Sequence, residues 1–221
     1  MSTLRTITDF KSKLAGGGAR PNLFEVNIPS FPSAATNSGA TWATGANGEA
    51  EAFNFLCKAA ALPASNIAPI DVPFRGRILK VAGDRTFDTW TVTIINDEDF
   101  KLRSAFELWM NSISKLDNNT GATNPTSYMT NAVVHQLGRG ASNRMDNSNQ
   151  NYDLVGGSGI TPLRTYLFYD VFPTNVSQID LSYDSSDTIE EYTVEFQVQY
   201  WTAGSQQTSG GATDQTGVAI V

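Results

Sequence analysis

RTFDTWTVTIINDEDFKLRSAFELWMNSI, residues 85–113, changes its period halfway along. In the first half Trp90, Val92 and Ile94 alternate with Thr89, Thr91 and Thr93, so a strand through them is apolar on one face and hydroxylic on the other. In the second half Leu102, Phe106, Trp109, Met110 and Ile113 recur at helical spacing, while Lys101, Arg103 and Glu107 fall outside the stripe. Between the halves, NDED (96–99) is expected to cap the helix and to set acidic groups where its dipole favours them. The stretch therefore predicts a strand and a helix burying their apolar faces in one core, and the aromatic stripe reads as core rather than as a cofactor box.

Upstream, Phe24, Val26 and Ile28 alternate with Glu25 and Asn27 as a half-buried strand. Before it, Ile7, Phe10 and Leu14 are spaced for a short amphipathic helix or docking arm that AGGG (15–18) ends. Residues 30–51 are low in charge and rich in small side chains, which predicts a surface loop pinned by Trp42. Strand character returns over 52–62, where Phe53, Phe55 and Cys57 are expected on one face, so the single cysteine reads as a buried apolar residue and not a nucleophile. PASNIAPIDVPFRG (63–76) carries three prolines and cannot pair along a central sheet, so it is expected to project as an extended arm. Downstream, residues 114–161 form a second loop rich in Asn, Gly and Ser, broken by the short strand AVVHQL (132–137) with a structural or surface His135. TYLFYDVFP (165–173) is apolar on both faces, and SQIDLSY (177–183) sets Ile179, Leu181 and Tyr183 opposite Gln178, Asp180 and Ser182. EYTVEFQVQYW (191–201) alternates from Tyr192 to Tyr200 against Thr193, Glu195, Gln197 and Gln199. A strand whose second face is long, polar and uniform faces water or a wet channel, which makes those four residues candidates for a channel wall.

With 221 residues, 40% hydrophobic and only 17% charged, the chain is expected to form one strand-rich domain, 1–221, with a flexible tail over 203–221. A net charge of −7 argues against gripping phosphates or an anionic membrane, and no apolar run approaches the roughly 18 residues of a span. No GxxxxGK[ST], HExxH or CxxC is present, and no GxGxxG follows a strand. GGSG (156–159) lacks the lysine and helix of a phosphate cradle, and DNNTG (117–121) and YDSSD (183–187) lack the spacing of a calcium loop. A hydrolytic carboxylate pair among Asp97, Glu98, Asp99, Glu190, Glu191 and Glu195 has a plainer account, since the first three read as helix cap and the others as a solvated strand edge. No catalytic, cofactor-binding or metal-binding residue is therefore expected. Arg75, Arg77, Lys80 and Arg85 cluster beside the proline-rich arm and read as the positive half of a contact with the acidic region 180–195 of another copy. Such a head-to-tail contact generates rings or filaments.

Three segments, in this order, resemble a known family: RPNLFEVNIP (20–29), the run 62–113 with its Arg-Gly-Arg and DTWTVTIIND elements, and the run 169–201 with FPTNVSQIDL. The chain resembles the tail tube proteins of contractile-tailed, T-even-type bacteriophages. That resemblance implies a mainly β fold, a sandwich or barrel-like tail tube fold with a flanking α-helix and long surface loops, similar to the tube protein of type VI secretion. It implies hexameric rings stacked into a tube inside a contractile sheath, with the sheets lining a lumen through which double-stranded DNA passes without sticking. The implied partners are further copies of the chain and the sheath, tape measure, baseplate and tail terminator proteins, with no membrane and no cofactor. The implied location is the virion tail, after synthesis in the host bacterial cytoplasm. The arm over 63–77 resembles the family's extended loop to neighbouring subunits, which makes Pro63, Ile67, Pro69, Asp71, Pro73, Phe74, Arg75 and Arg77 subunit-contact candidates. The N-terminal arm (1–19) and C-terminal tail (203–221) look like further contacts, while the loops 30–51 and 114–161 depart from compact members. Two other readings stay open: the tube of a phage-derived contractile injection or type VI-like secretion system, and a phage carbohydrate-binding or glycosidase β-sandwich if Trp42 lined a groove.

Overall fold

The computed structural model describes residues 6–14, 18–44, 48–138, 162–184 and 186–204; residues 139–161 of the 114–161 loop, GGSG (156–159) among them, and nearly all of the tail lie outside them. The described residues fall into two compact units, one from Met1–Glu25, Val133–Leu167 and Thr202–Val221, the other from Val26–Ala132 and Phe168–Trp201.

The second unit holds the strand and helix of residues 85–113. In β5 (Trp90–Ile95) and its antiparallel partner β8 (Glu191–Gln197), Trp90 lies beside Phe196, Val92 beside Val194 and Ile94 beside Tyr192, and all six are buried. Helix α4 (Lys101–Ile113) covers this face, with the Phe106 and Trp109 rings 5.8 and 6.0 Å from that of Phe196. Burying each such side chain contributes about 1.5–3 kcal/mol. Leu102, Ala105, Phe106, Trp109 and Ser112 form the buried stripe, while Met110 and Ile113 sit half-buried at its margin. Phe31 extends the aromatic cluster, stacked 4.5 Å from Trp42 and edge-on 4.8 Å from Trp109. The two indoles are satisfied inside it, Trp42 Nε1 donating to the Ile28 carbonyl (3.0 Å) and Trp109 Nε1 to the Tyr128 carbonyl (2.7 Å).

The strand order is β1-β6-β7-β8-β5-β2, with β9 on β7, where β1 is Phe24–Asn27, β2 Cys57–Ala60, β6 Thr130–Gln136, β7 Arg164–Val176 and β9 Tyr200–Gly204. Strands β3 (Ser65–Phe74) and β4 (Arg77–Phe87) stand apart and pair only with each other.

Four expectations change. The stretch 30–51 is not a plain loop: it contains α2 (Ser33–Asn37) and the start of α3 (Glu49–Leu56), and the Glu49 carboxylate accepts from Ala43 N–H and Thr41 Oγ1 to fold the connection back. Helix α3 also replaces strand over 52–56, because Glu, Ala and Leu in EAEAFNFL favour a helix. Its 3.6-residue turn buries Phe53 and leaves Phe55 77% exposed, against a shared strand face. The acidic turn does not cap α4. Phe100, at φ 53°, precedes the helix with no side-chain cap, and Asp99 pairs with Lys101 instead. Finally, SQIDLSY forms no strand: Ser177 still pairs with Thr193, its N–H donating to the Thr193 carbonyl, but beyond it the segment is irregular and Leu181 and Tyr183 stand in solvent.

In the first unit α1 (Ile7–Lys13) opens with a reciprocal cap, Thr6 Oγ1 accepting from Asp9 N–H and the Asp9 carboxylate from Thr6 N–H. Ile7, Phe10 and Leu14 are exposed. Gln136 Nε2 donates to the carbonyls of Arg20 and Leu23, holding that chain segment to the end of β6.

Candidate assembly surface

The arm expected over 63–77 is one strand of a β-hairpin that continues to Phe87. Its two-residue turn, Arg75-Gly76, has φ of 46° and 83°, the pair of left-handed conformations that matches strand twist in tight hairpins. Both strands are edges, so Pro69 and Pro73 remove N–H groups the ladder does not need. Gly83 sits opposite a bulge, where a Cβ would lie 2.6 Å from the Ala68 carbonyl oxygen. At the root, Asp88 N–H donates to Ala64, Asn66 Nδ2 donates to Asp88, and Phe87 meets Trp201 edge-on at 6.3 Å.

Cross-strand register sorts the side chains. Ile70 lies beside Val81, Val72 beside Leu79 and Phe74 beside Arg77, so these six share one face. On the other face Asp71 lies beside Lys80, with which it forms an ion pair at 3.0 Å, and Pro73 beside Ile78. Arg75 folds over the Phe74 ring at 5.3 Å. All these residues are exposed, and a lone two-stranded hairpin is marginal in water. Of the contact candidates, Ile67, Pro69, Asp71, Pro73, Phe74, Arg75 and Arg77 are exposed, while Pro63 is buried at the root. Sequence reading missed Ile70, Val72, Ile78, Leu79 and Val81; the signal was a two-residue Arg-Gly turn flanked by alternating apolar residues.

The second surface is the face of β5 and β8 away from α4. Thr91 lies beside Glu195 and Thr93 beside Thr193, all half-buried, with Gln197 further along β8. Gln199 lies past the end of β8, exposed, its N–H donating to the Tyr169 carbonyl. Glu195 is the single charge among the four wall candidates.

The third surface is the connection from Ser177 to β8. Leu181, Tyr183 and Ile189 are exposed there among Asp180, Asp184 and Asp187. Of the six carboxylates weighed for hydrolysis, three are engaged separately, Glu190 with Asn96, Glu191 with Lys58 and Asp99 with Lys101. Burial pushes the Cys57 thiol up to about 12, leaving it protonated and inert. His135 Nδ1 lies 2.9 Å from Thr165 Oγ1, and burial holds its pKa below the ordinary value, opposed by the Glu25 charge. Trp42 is half-buried, its ring stacked on Phe31 and its indole N–H donating inward to the Ile28 carbonyl. Among the described residues no group of three or more His, Cys, Asp or Glu is placed to hold a metal.

Residues 19–204 match the family model described as phage tail tube protein. The chain is 33% identical over 187 residues to the tail tube protein gp19 of Enterobacteria phage T4, covering 85% of this chain and 93% of that one. It is 24% identical over 206 residues to the tail tube protein of Serratia phage KSP90, covering 92% and 99%. Among solved structures, a chain of the anti-feeding prophage tube-terminating cap superposes with TM-score 0.51 at 10% identity, covering 86% of this chain and 92% of that one. A chain of an extracellular contractile injection system sheath/tube terminator gives 0.50 at 11%, covering 84% and 96%. At such identity these two likenesses speak to the fold alone.

Proposed function

The chain belongs to the phage tail tube protein family, and from that premise we propose that it is a structural, non-enzymatic subunit that assembles into stacked hexameric rings forming the inner tube of a contractile tail, the conduit for DNA. The observation that carries this reading is the β3–β4 hairpin. It displays an apolar face of Ile70, Val72, Leu79 and Val81 that its own subunit leaves exposed. A surface of that kind is stable in water only when another chain covers it. The same strands that bury α4 on one side offer Thr193, Glu195 and Gln197 on the other, a polar and weakly acidic wall that repels a polyanion rather than binding it. Sheath, baseplate, tape measure and terminator proteins are the partners such a tube requires along its outside, inside and ends.

Negative-stain electron microscopy of the purified chain at rising concentration tests the reading. Rings or tubes with a central channel are expected. A protein that stays monomeric at every concentration, with or without an end-capping partner, refutes it.

A further inference from the structure

Two exposed segments of this chain have complementary chemistry. The hairpin 65–87 carries Arg75, Arg77, Lys80 and Arg85 against Asp71 and Asp84, while 177–191 carries Asp180, Asp184, Asp187, Glu190 and Glu191 with no basic residue. Among the described residues, Arg75, Arg77, Asp180, Asp184 and Asp187 join no ion pair within the subunit. Each segment adds uncovered apolar area to its charge: Phe74 at the hairpin tip beside Arg77, and Leu181 (81% exposed) between Asp180 and Asp184 and Ile189 (73%) between Asp187 and Glu190. The connection has strand-like alternation over 177–183 yet forms no strand, which is what a segment does when its cover comes from elsewhere.

We propose that the tip and apolar face of the β3–β4 hairpin of one copy dock on the 177–189 connection of a neighbouring copy, Phe74 against Leu181, with Arg75 and Arg77 facing Asp184 and Asp187. This rests on the reading of the chain as a self-assembling subunit, and names the landing site of its arm. The contact joins two different surfaces, so each copy both gives a hairpin and receives one, and the pattern propagates around a ring or along a stack. Opposite charge fixes partner and orientation, while the apolar pair supplies the desolvated centre.

The test uses full-length chain and two readouts. R75E/R77E and D184K/D187K should each raise the concentration at which tubes form by roughly tenfold or more, because the landing becomes like-charged. Combining all four should bring it back to within a few-fold of wild type. In parallel, F74C and L181C chains are co-assembled and mildly oxidised; buried, protonated Cys57 stays silent. A disulfide is expected only in the mixture, between chains and only after assembly. Normal tubes with no mixed disulfide, or a charge swap that restores nothing, overturn the landing site while leaving the tube reading intact. Single-variant chains that cross-link as well as the mixture overturn the head-to-tail geometry. Wild-type chain that never assembles removes the functional reading and this contact together.

Discussion

The apolar face of the hairpin sets how much assembly should suffer when it is made polar. Val72 and Leu79 are directly opposed, 43% and 61% exposed, so about half of each side chain remains to be buried by a neighbour. Full burial of such a side chain contributes about 1.5–3 kcal/mol, so the pair holds about 1.5–3 kcal/mol for assembly. At about 1.4 kcal/mol per tenfold, V72T/L79T should raise the critical concentration for tube formation by roughly 10- to 150-fold. Threonine keeps strand preference, so the hairpin itself persists. The dilute, unassembled subunit should lose less than about 0.5 kcal/mol, the usual range for exposed positions. Pelleting with electron microscopy across a dilution series reads the first quantity, and thermal unfolding by circular dichroism reads the second. An unchanged critical concentration refutes the argument that this face is covered on assembly. A subunit that melts many degrees earlier refutes its premise, since the face would then be buried at home.

In the core, W109F removes the donor to the Tyr128 carbonyl and some ring volume, and should cost about 1–3 kcal/mol in urea unfolding with the slope unchanged. His135, the chain's only histidine, should titrate by NMR below the ordinary value of 6.5. Its folded-state pKa is depressed, so its contribution to stability is complete above the unfolded value and declines as pH falls from there toward the folded one; H135Q should flatten that limb. E195K places a cation on the polar face of β8, and tubes of this variant should retain short duplex DNA at low salt and release it as salt rises, while wild-type tubes retain none.

The parts of the fold readable from sequence were those whose cover lies within the subunit. Residues 90–95 and 101–113 show clean periods of two and 3.6 because β5 and α4 bury each other's apolar faces. Over 52–56 the period was ambiguous, since Phe53 and Phe55 fit a strand while EAEAFNFL favours a helix, and packing of Phe53 against Trp42 at 5.9 Å decided for the helix. Prolines hid β3, because they argue against a central strand and the hairpin has no central strand. Ile7 and Phe10 on α1 with Leu14 at its end, Ile70 to Val81 on the hairpin, and Leu181 and Tyr183 before β8 share another property. Each has apolar periodicity, which demands burial, and each is exposed in the subunit. Periodicity states that a face needs cover without stating which chain provides it, so a lone subunit leaves that demand unmet at the surfaces where copies meet. On this argument the mismatch between predicted burial and observed exposure marks the assembly surface, and the α1 stripe is the next place to look for a neighbour's footprint.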